Sequence, residues 1–126
     1  MSNLNREIRL QFNDYIEIDR LCRCVDPMMF HALFIINDEW SDYVETIFSC
    51  QGHDKGEPAW IKFRIKSQLW WDEFATNLSR HAPFEIVGDT LNIFHGGKKQ
   101  LFNLLQEAVS IGGDVCQVLK DGTKTP

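Results

Sequence analysis

Residues 60–66 read WIKFRIK, and this stretch decides the fold class. Ile61, Phe63 and Ile65 occupy alternate positions, so they share one face of an extended chain. Lys62 and Arg64 lie between them and share the opposite face. This alternation predicts a β-strand with one face in a hydrophobic core and the other toward water.

The rest of the chain divides into similarly short elements. Asp26 followed by Pro27 is a typical helix start, because aspartate caps a helix and proline is tolerated at its first position. Ser67 is an N-cap for a second helix, in which Trp70 and Phe74 lie four residues apart. In chain order the patterns predict a strand over 6–12, a helix over 27–40, strands over 43–48 and 60–66, a helix over 68–80, a hairpin of strands over 84–87 and 91–95, and a helix over 98–110.

This order of elements predicts one α+β domain of two layers, with an antiparallel or mixed sheet and about three helices on one face. The domain would cover residues 1–119. Gly112 and Gly113 would stop the last helix, and residues 120–126, which include no large apolar side chain, would form a flexible tail. The uncovered face of the sheet would carry Glu7, Arg9, Gln11, Lys62, Arg64 and Lys66.

The composition excludes several classes of function. The chain has 126 residues, a formal net charge of -5, nine Phe and four Trp, which is enough apolar material for one core. The negative charge disfavours non-specific nucleic-acid binding, which depends on positive charge. No apolar run approaches the length of a membrane span, and the polar N-terminus lacks the apolar region of a signal peptide. We therefore expect a cytoplasmic protein, in the host cytoplasm if it is viral, with reduced cysteines.

Residues 48–53 (FSCQGH) form a loop that carries a thiol, a glycine and an imidazole. Three interpretations remain open. In the first, Gly52 supplies an unusual backbone angle and Cys50 fills a small pocket in a structural turn. In the second, His53 activates Cys50 as a nucleophile. In the third, Cys22 and Cys24 join Cys50 and His53 as a tetrahedral zinc site.

The charged face of the strand over 60–66 has two interpretations as well. Lys62 and Arg64 are either the solvated side of an amphipathic strand or an anion site on the open sheet face, because such cations bind phosphate groups of nucleotides. Arg9, or Lys98 and Lys99, would complete that anion site. Residues 96–99 (GGKK) also begin a helix, where backbone N–H groups bind anions weakly.

Three segments resemble known proteins. Residues 24–27 (CVDP), 46–53 (TIFSCQGH) and 59–63 (AWIKF) resemble small uncharacterised proteins of bacteriophages and prophages, which carry an aspartate-led helix, a strand ending in Ser-Cys-x-Gly-His and a following strand. The loop is also distantly similar to the Ser-Cys-Ser-Gly-Arg motif of the wybutosine tRNA methyltransferase family. Gln51 stands in place of the second serine of that motif, and His53 in place of its arginine.

The phage-like resemblance implies an accessory protein that acts by binding. It would inhibit a host defence protein or sequester a nucleotide-like small molecule, without a cofactor. A captured nucleotide would contact Cys50, Gln51, Gly52, His53, Lys62 and Arg64. The alternative is a zinc-dependent or RNA-modifying enzyme built around Cys50 and His53, with zinc as the cofactor in the first case. We also consider a homo-oligomer, because exposed strands and sheet faces tend to be covered.

Overall fold

We describe residues 27–52 and 56–122 of the computed structural model of this chain. The elements in these ranges are, in chain order, α1 (Pro27–Glu39), β1 (Val44–Cys50), β2 (Ala59–Ile65), α2 (Gln68–Leu78), β3 (Phe84–Val87), β4 (Thr90–Ile93) and α3 (Lys98–Gly122). The four strands form one antiparallel sheet in the order β1-β2-β4-β3. Apolar side chains of all three helices share one core with the inner face of the sheet. The predicted two-layer α+β class is therefore confirmed, and the predicted strand over 6–12 lies outside the described residues.

The strand β2 lies between β1 and β4 in the sheet and has the two faces that its sequence predicts. Ile61 and Phe63 are 1% exposed, whereas the side chains of Lys62 and Arg64 are 44% and 45% exposed. The Ser67 hydroxyl then accepts a hydrogen bond of 3.2 Å from the backbone N–H of Trp70, which caps α2 as expected. Local pattern alone was sufficient for this strand and the start of its helix.

The strand β1 contains an irregularity that determines which of its side chains face the core. Thr46 pairs with Phe63 and Phe48 pairs with Lys62, so Ile47 has no partner residue on β2 and forms a β-bulge. Thr46 therefore lies on the core side, and Phe48 lies on the opposite side together with Lys62. Beyond the irregularity, Ser49 pairs with the core residue Ile61.

Aromatic rings fill the space between the helices and the sheet. The ring centroids of Trp40 and Trp70 lie 5.1 Å apart, those of Trp70 and Phe74 lie 4.7 Å apart, and those of Phe63 and Trp71 lie 5.0 Å apart. Such offset and tilted arrangements contribute more than the burial of their area alone. The fold is thus held by one aromatic centre, to which α2, β2 and the residue directly after α1 contribute.

A buried amide joins α1 to the sheet. The side-chain nitrogen of Asn37 donates to the carbonyl oxygen of Leu33 and to the hydroxyl of Thr46, each over 2.8 Å. The backbone N–H of Thr46 donates to the Asn37 side-chain oxygen over 3.0 Å. Because all of these groups are shielded from water, each needs a partner inside the protein, and Asn37 supplies it.

The last helix is longer than predicted, and the prediction that it ends near residue 110 is wrong. The helix α3 continues through Gly112 and Gly113 to Gly122, so the first three residues of the expected tail are helical; residues 123–126 lie outside the described residues. Packing requires glycine at position 112, since a Cβ there would overlap the Trp40 ring. The glycine lets two helices approach, and Val115 continues the buried stripe beyond it.

The predicted hairpin is present, with a two-residue turn at Gly88 and Asp89 between β3 and β4. Gly88 has a φ of +63°, which favours glycine at this position. The second strand ends at Ile93 rather than at His95. This shorter end leaves His95 available to contact the loop that follows β1.

Candidate functional site

The side of the sheet opposite the three described helices carries two rows of side chains that cross all four strands. One row comprises Phe48, Lys62, Thr90 and Val87. The second row comprises Cys50, Trp60, Asn92 and Glu85. Beside the first row, Glu45 pairs with Arg64. We call these side chains, apart from the buried Cys50, the open face.

Every basic side chain of β2 has an acidic neighbour. Lys62 Nζ lies 3.9 Å from Asp89 Oδ2, and Arg64 Nε lies 3.3 Å from Glu45 Oε2. Just after the strand, Lys66 Nζ lies 3.6 Å from the other oxygen of Glu45. These pairs are exposed and contribute little to stability, but a bound phosphate would have to compete with the carboxylates for the cations. The open face is therefore a surface of mixed charge.

Apolar side chains lie among these charges. Phe48 and Trp60 are partly buried, and Val87 is 57% exposed. Trp60 stands on the same strand face as Lys62 and Arg64, between the β1 and β4 residues with which it pairs. Aromatic side chains and arginine are enriched at the centres of protein–protein interfaces, and charged pairs are typical of their rims.

The loop after β1 is built as a turn at the end of the open face. Gly52 has a φ of +86°, and a Cβ on it would lie 2.7 Å from the carbonyl oxygen of Glu57. Its backbone N–H lies 3.4 Å from the Cys50 sulfur. Cys50 is 3% exposed, so its sulfur is out of reach of an external substrate in this conformation. These contacts support the structural interpretation of Cys50 and Gly52.

His95 is a neighbour of this loop that the sequence did not reveal. Its Nε2 lies 3.1 Å from the carbonyl oxygen of Gln51. The two residues are distant in sequence, and they meet because β1 and β4 flank β2 and both end opposite its first two residues. The hydrophobic periodicity of the sequence does not predict this contact, because the contact depends on the order of the strands in the sheet.

The six residues predicted to contact a nucleotide do not form one compact cluster in the described structure. Cys50 is paired with Trp60, and Arg64 lies four positions further along β2, about 13 Å away. Lys62 lies between them on the same side of the sheet. Gln51 and Gly52 belong to the turn, and His53 lies outside the described residues. A ligand that contacted both Cys50 and Arg64 would have to extend along the strand.

The predicted zinc site falls mostly outside the described residues, which include neither Cys22, Cys24 nor His53. Within residues 27–52 and 56–122, no group of three or more histidine, cysteine or acidic side chains is placed to hold a metal ion. Cys116 serves a different purpose: its sulfur accepts a hydrogen bond of 3.2 Å from the Trp70 indole. Burial raises the pKa of the Cys116 thiol, so it remains protonated at neutral pH.

Comparison with known proteins assigns no family. No protein-family model matches the chain, and neither a curated protein nor a solved structure matches it. Among the described helices, none is both long and apolar enough to cross a membrane. The resemblance to phage proteins remains a prediction.

Proposed function

We propose that the chain is a non-catalytic binding protein whose open face binds a protein partner. The observation that carries this proposal is the placement of Trp60 and Phe48 among internally paired charges on the sheet face opposite the described helices. In the phage-type setting that the sequence implies, the partner is a host defence protein and binding inhibits it.

The pairing of the cations favours a protein over a nucleotide-like molecule. Phosphate binding sites gain their strength from cations that are directed at the ligand. Here the carboxylates of Glu45 and Asp89 already face Arg64 and Lys62. A protein surface carries both signs of charge, so it meets these pairs without displacing them, and Trp60 supplies apolar contact area at their centre.

The burial of Cys50 counts against the enzyme alternative. A nucleophilic thiol must reach the substrate atom that it attacks. The Cys50 sulfur is covered and lies beside the backbone N–H of Gly52, so it acts as a structural group within the turn. An enzyme built on this cysteine would first have to open the end of β1.

The test is purification of the chain under gentle conditions from cells in which it acts, followed by native mass spectrometry and reconstitution with the purified partner. We expect a stoichiometric complex with one protein. Trp60→Ala should weaken this complex about 30-fold, as expected for a central aromatic anchor. Phe102→Ala is the matched control: Phe102 is an exposed aromatic residue on α3, away from the open face, and its removal should leave affinity unchanged.

Other outcomes would each contradict the proposal in a recognisable way. A small-molecule mass that is lost from a Lys62→Ala, Arg64→Ala variant would favour a captured nucleotide. A zinc mass removed by chelator would favour the site of Cys22, Cys24, Cys50 and His53. Turnover abolished by Cys50→Ala would favour the enzyme. The proposal would also be refuted if the chain has its unmodified mass and no protein partner. The same holds if Trp60→Ala leaves the affinity of the complex unchanged.

A further inference from the structure

A second surface lies in the helical layer, where α2 and α3 leave a cleft of about 240 Å³ between them. The two helices run antiparallel. At one end the Trp70 indole donates to the Cys116 sulfur over 3.2 Å, and at the other His81 Nδ1 lies 3.3 Å from Glu107 Oε2. The cleft opens between these two contacts.

The floor of the cleft is apolar. Ile111, Val115 and Val118 follow one another at spacings of four and three residues on α3, so they form one stripe along the helix. Val118 is 63% exposed, and Leu69, which directly precedes Trp70 at the same end of the helix pair, is exposed to the same extent. Apolar side chains this open to solvent gain free energy when a partner covers them.

Carboxylates stand on both walls of the cleft. Glu73 comes from α2 and Asp114 from α3. Among the described residues, neither carboxylate has a hydrogen bond or an ion pair, in contrast to the acids of the open face. The guanidinium of Arg80, which also lines the cleft, donates to the Asn77 side-chain oxygen over 3.5 Å and has no acidic partner among the described residues. The lining therefore carries two unpaired carboxylates against one guanidinium, a net negative charge next to an apolar floor.

The volume of the cleft limits the size of the ligand that it can bind. Pockets for complete small-molecule ligands begin at about 300 Å³, so this cleft is smaller than that class. Its volume suits one or two side chains. A peptide segment that inserts a side chain and lays its backbone along the helices fits this size, and an exposed groove between two helices is a common site for such segments.

We propose that this cleft binds a basic segment of a protein partner. The segment places one apolar side chain on Ile111, Val115 and Val118, and its lysine or arginine side chains contact the carboxylates of Glu73 and Asp114. The cleft lies in the helical layer and shares no residue with the open face, so this inference stands independently of the proposed function.

The test uses an amphipathic model peptide of leucine and lysine at helical spacing, titrated into the isotope-labelled full chain and followed by NMR. We expect saturable shifts of the methyl signals of Ile111, Val115 and Val118. The isosteric pair Glu73→Gln, Asp114→Asn should weaken binding roughly fivefold, because two exposed charge pairs are lost. The pair Asp38→Asn, Asp72→Asn changes the net charge equally at exposed acids outside the cleft and should leave binding unchanged.

Two further controls keep the result specific. A peptide with glutamate in place of lysine should not bind, and Trp60→Ala should bind the basic peptide as well as the original chain does. The proposal is overturned if the basic peptide fails to bind, if the two pairs of substitutions weaken it equally, or if the methyl shifts lie elsewhere. Shifts that appear on raising the protein concentration without peptide would instead assign the cleft to a second copy of this chain.

Discussion

The two sides of the sheet in this molecule are built from the same strands but differ in burial and charge. On the inner side Phe63 is 1% exposed and its ring contacts those of Trp71 and Phe74. On the outer side the adjacent Arg64 is in an exposed ion pair with Glu45. Stability is therefore concentrated on one side, which leaves the other side free to change its chemistry at little cost to folding.

Neighbouring residues of β2 offer the largest test of this comparison. Phe63→Ala should lower the free energy of unfolding by about 4 kcal/mol, because it leaves a cavity in the aromatic centre. Arg64→Ala should lower it by less than about 1 kcal/mol, since it removes one exposed ion pair. Chemical denaturation of both variants, followed by circular dichroism, measures the difference. Equal effects would mean that the open face is part of the stabilising structure.

Two adjacent glycines of α3 offer the next largest test. Gly112→Ala should lower the free energy of unfolding by about 3 kcal/mol, because its methyl group would overlap the Trp40 ring. Gly113→Ala meets nothing within 4 Å and should raise stability by up to about 1 kcal/mol, since alanine favours a helix. Thermal unfolding of the two variants side by side checks both signs. A stabilising Gly112→Ala would contradict the close approach of Trp40 to α3.

The turn beside the open face offers the smallest test. Gly52 and Gly56 have the same φ of +86°, but a Cβ on Gly56 meets nothing within 4 Å. Gly56→Ala should therefore cost about 1 kcal/mol of backbone strain alone. Gly52→Ala should cost about 1 kcal/mol more, because the added methyl group would crowd the carbonyl oxygen of Glu57. Denaturation midpoints that coincide would show that the turn is looser than described, which would weaken its structural interpretation.

Local patterns were sufficient for much of this fold. The alternation in β2, the cap at Ser67 and the glycine turn at Gly88 each depend on residues within a few positions of one another, and each is confirmed. The end of α3 was predicted wrongly because glycine stops a helix in most local contexts. Here the reason for Gly112 lies in Trp40, which is remote in sequence and adjacent in space.

The candidate surfaces also depend on contacts between residues that are distant in sequence, which local patterns do not predict. The two-residue period of a strand predicts that Lys62 and Arg64 share a face. It does not predict which acidic residues pair with them. The pairing with Glu45 depends on the β1–β2 register, and the pairing with Asp89 depends on the position of the hairpin turn. The cleft between α2 and α3 had no sequence signal, because its volume is set by how two distant helices pack.

The extra residue in β1 has a consequence for how this chain can vary in length over evolution. Because Ile47 is not needed to pair with β2, its deletion would leave Thr46 facing inward and Phe48 facing outward. Deletion at a regularly paired position would instead exchange inside for outside in the remainder of the strand. We therefore expect homologous chains that differ by one residue in β1 to gain or lose it at this position, with both surfaces of the sheet inherited intact.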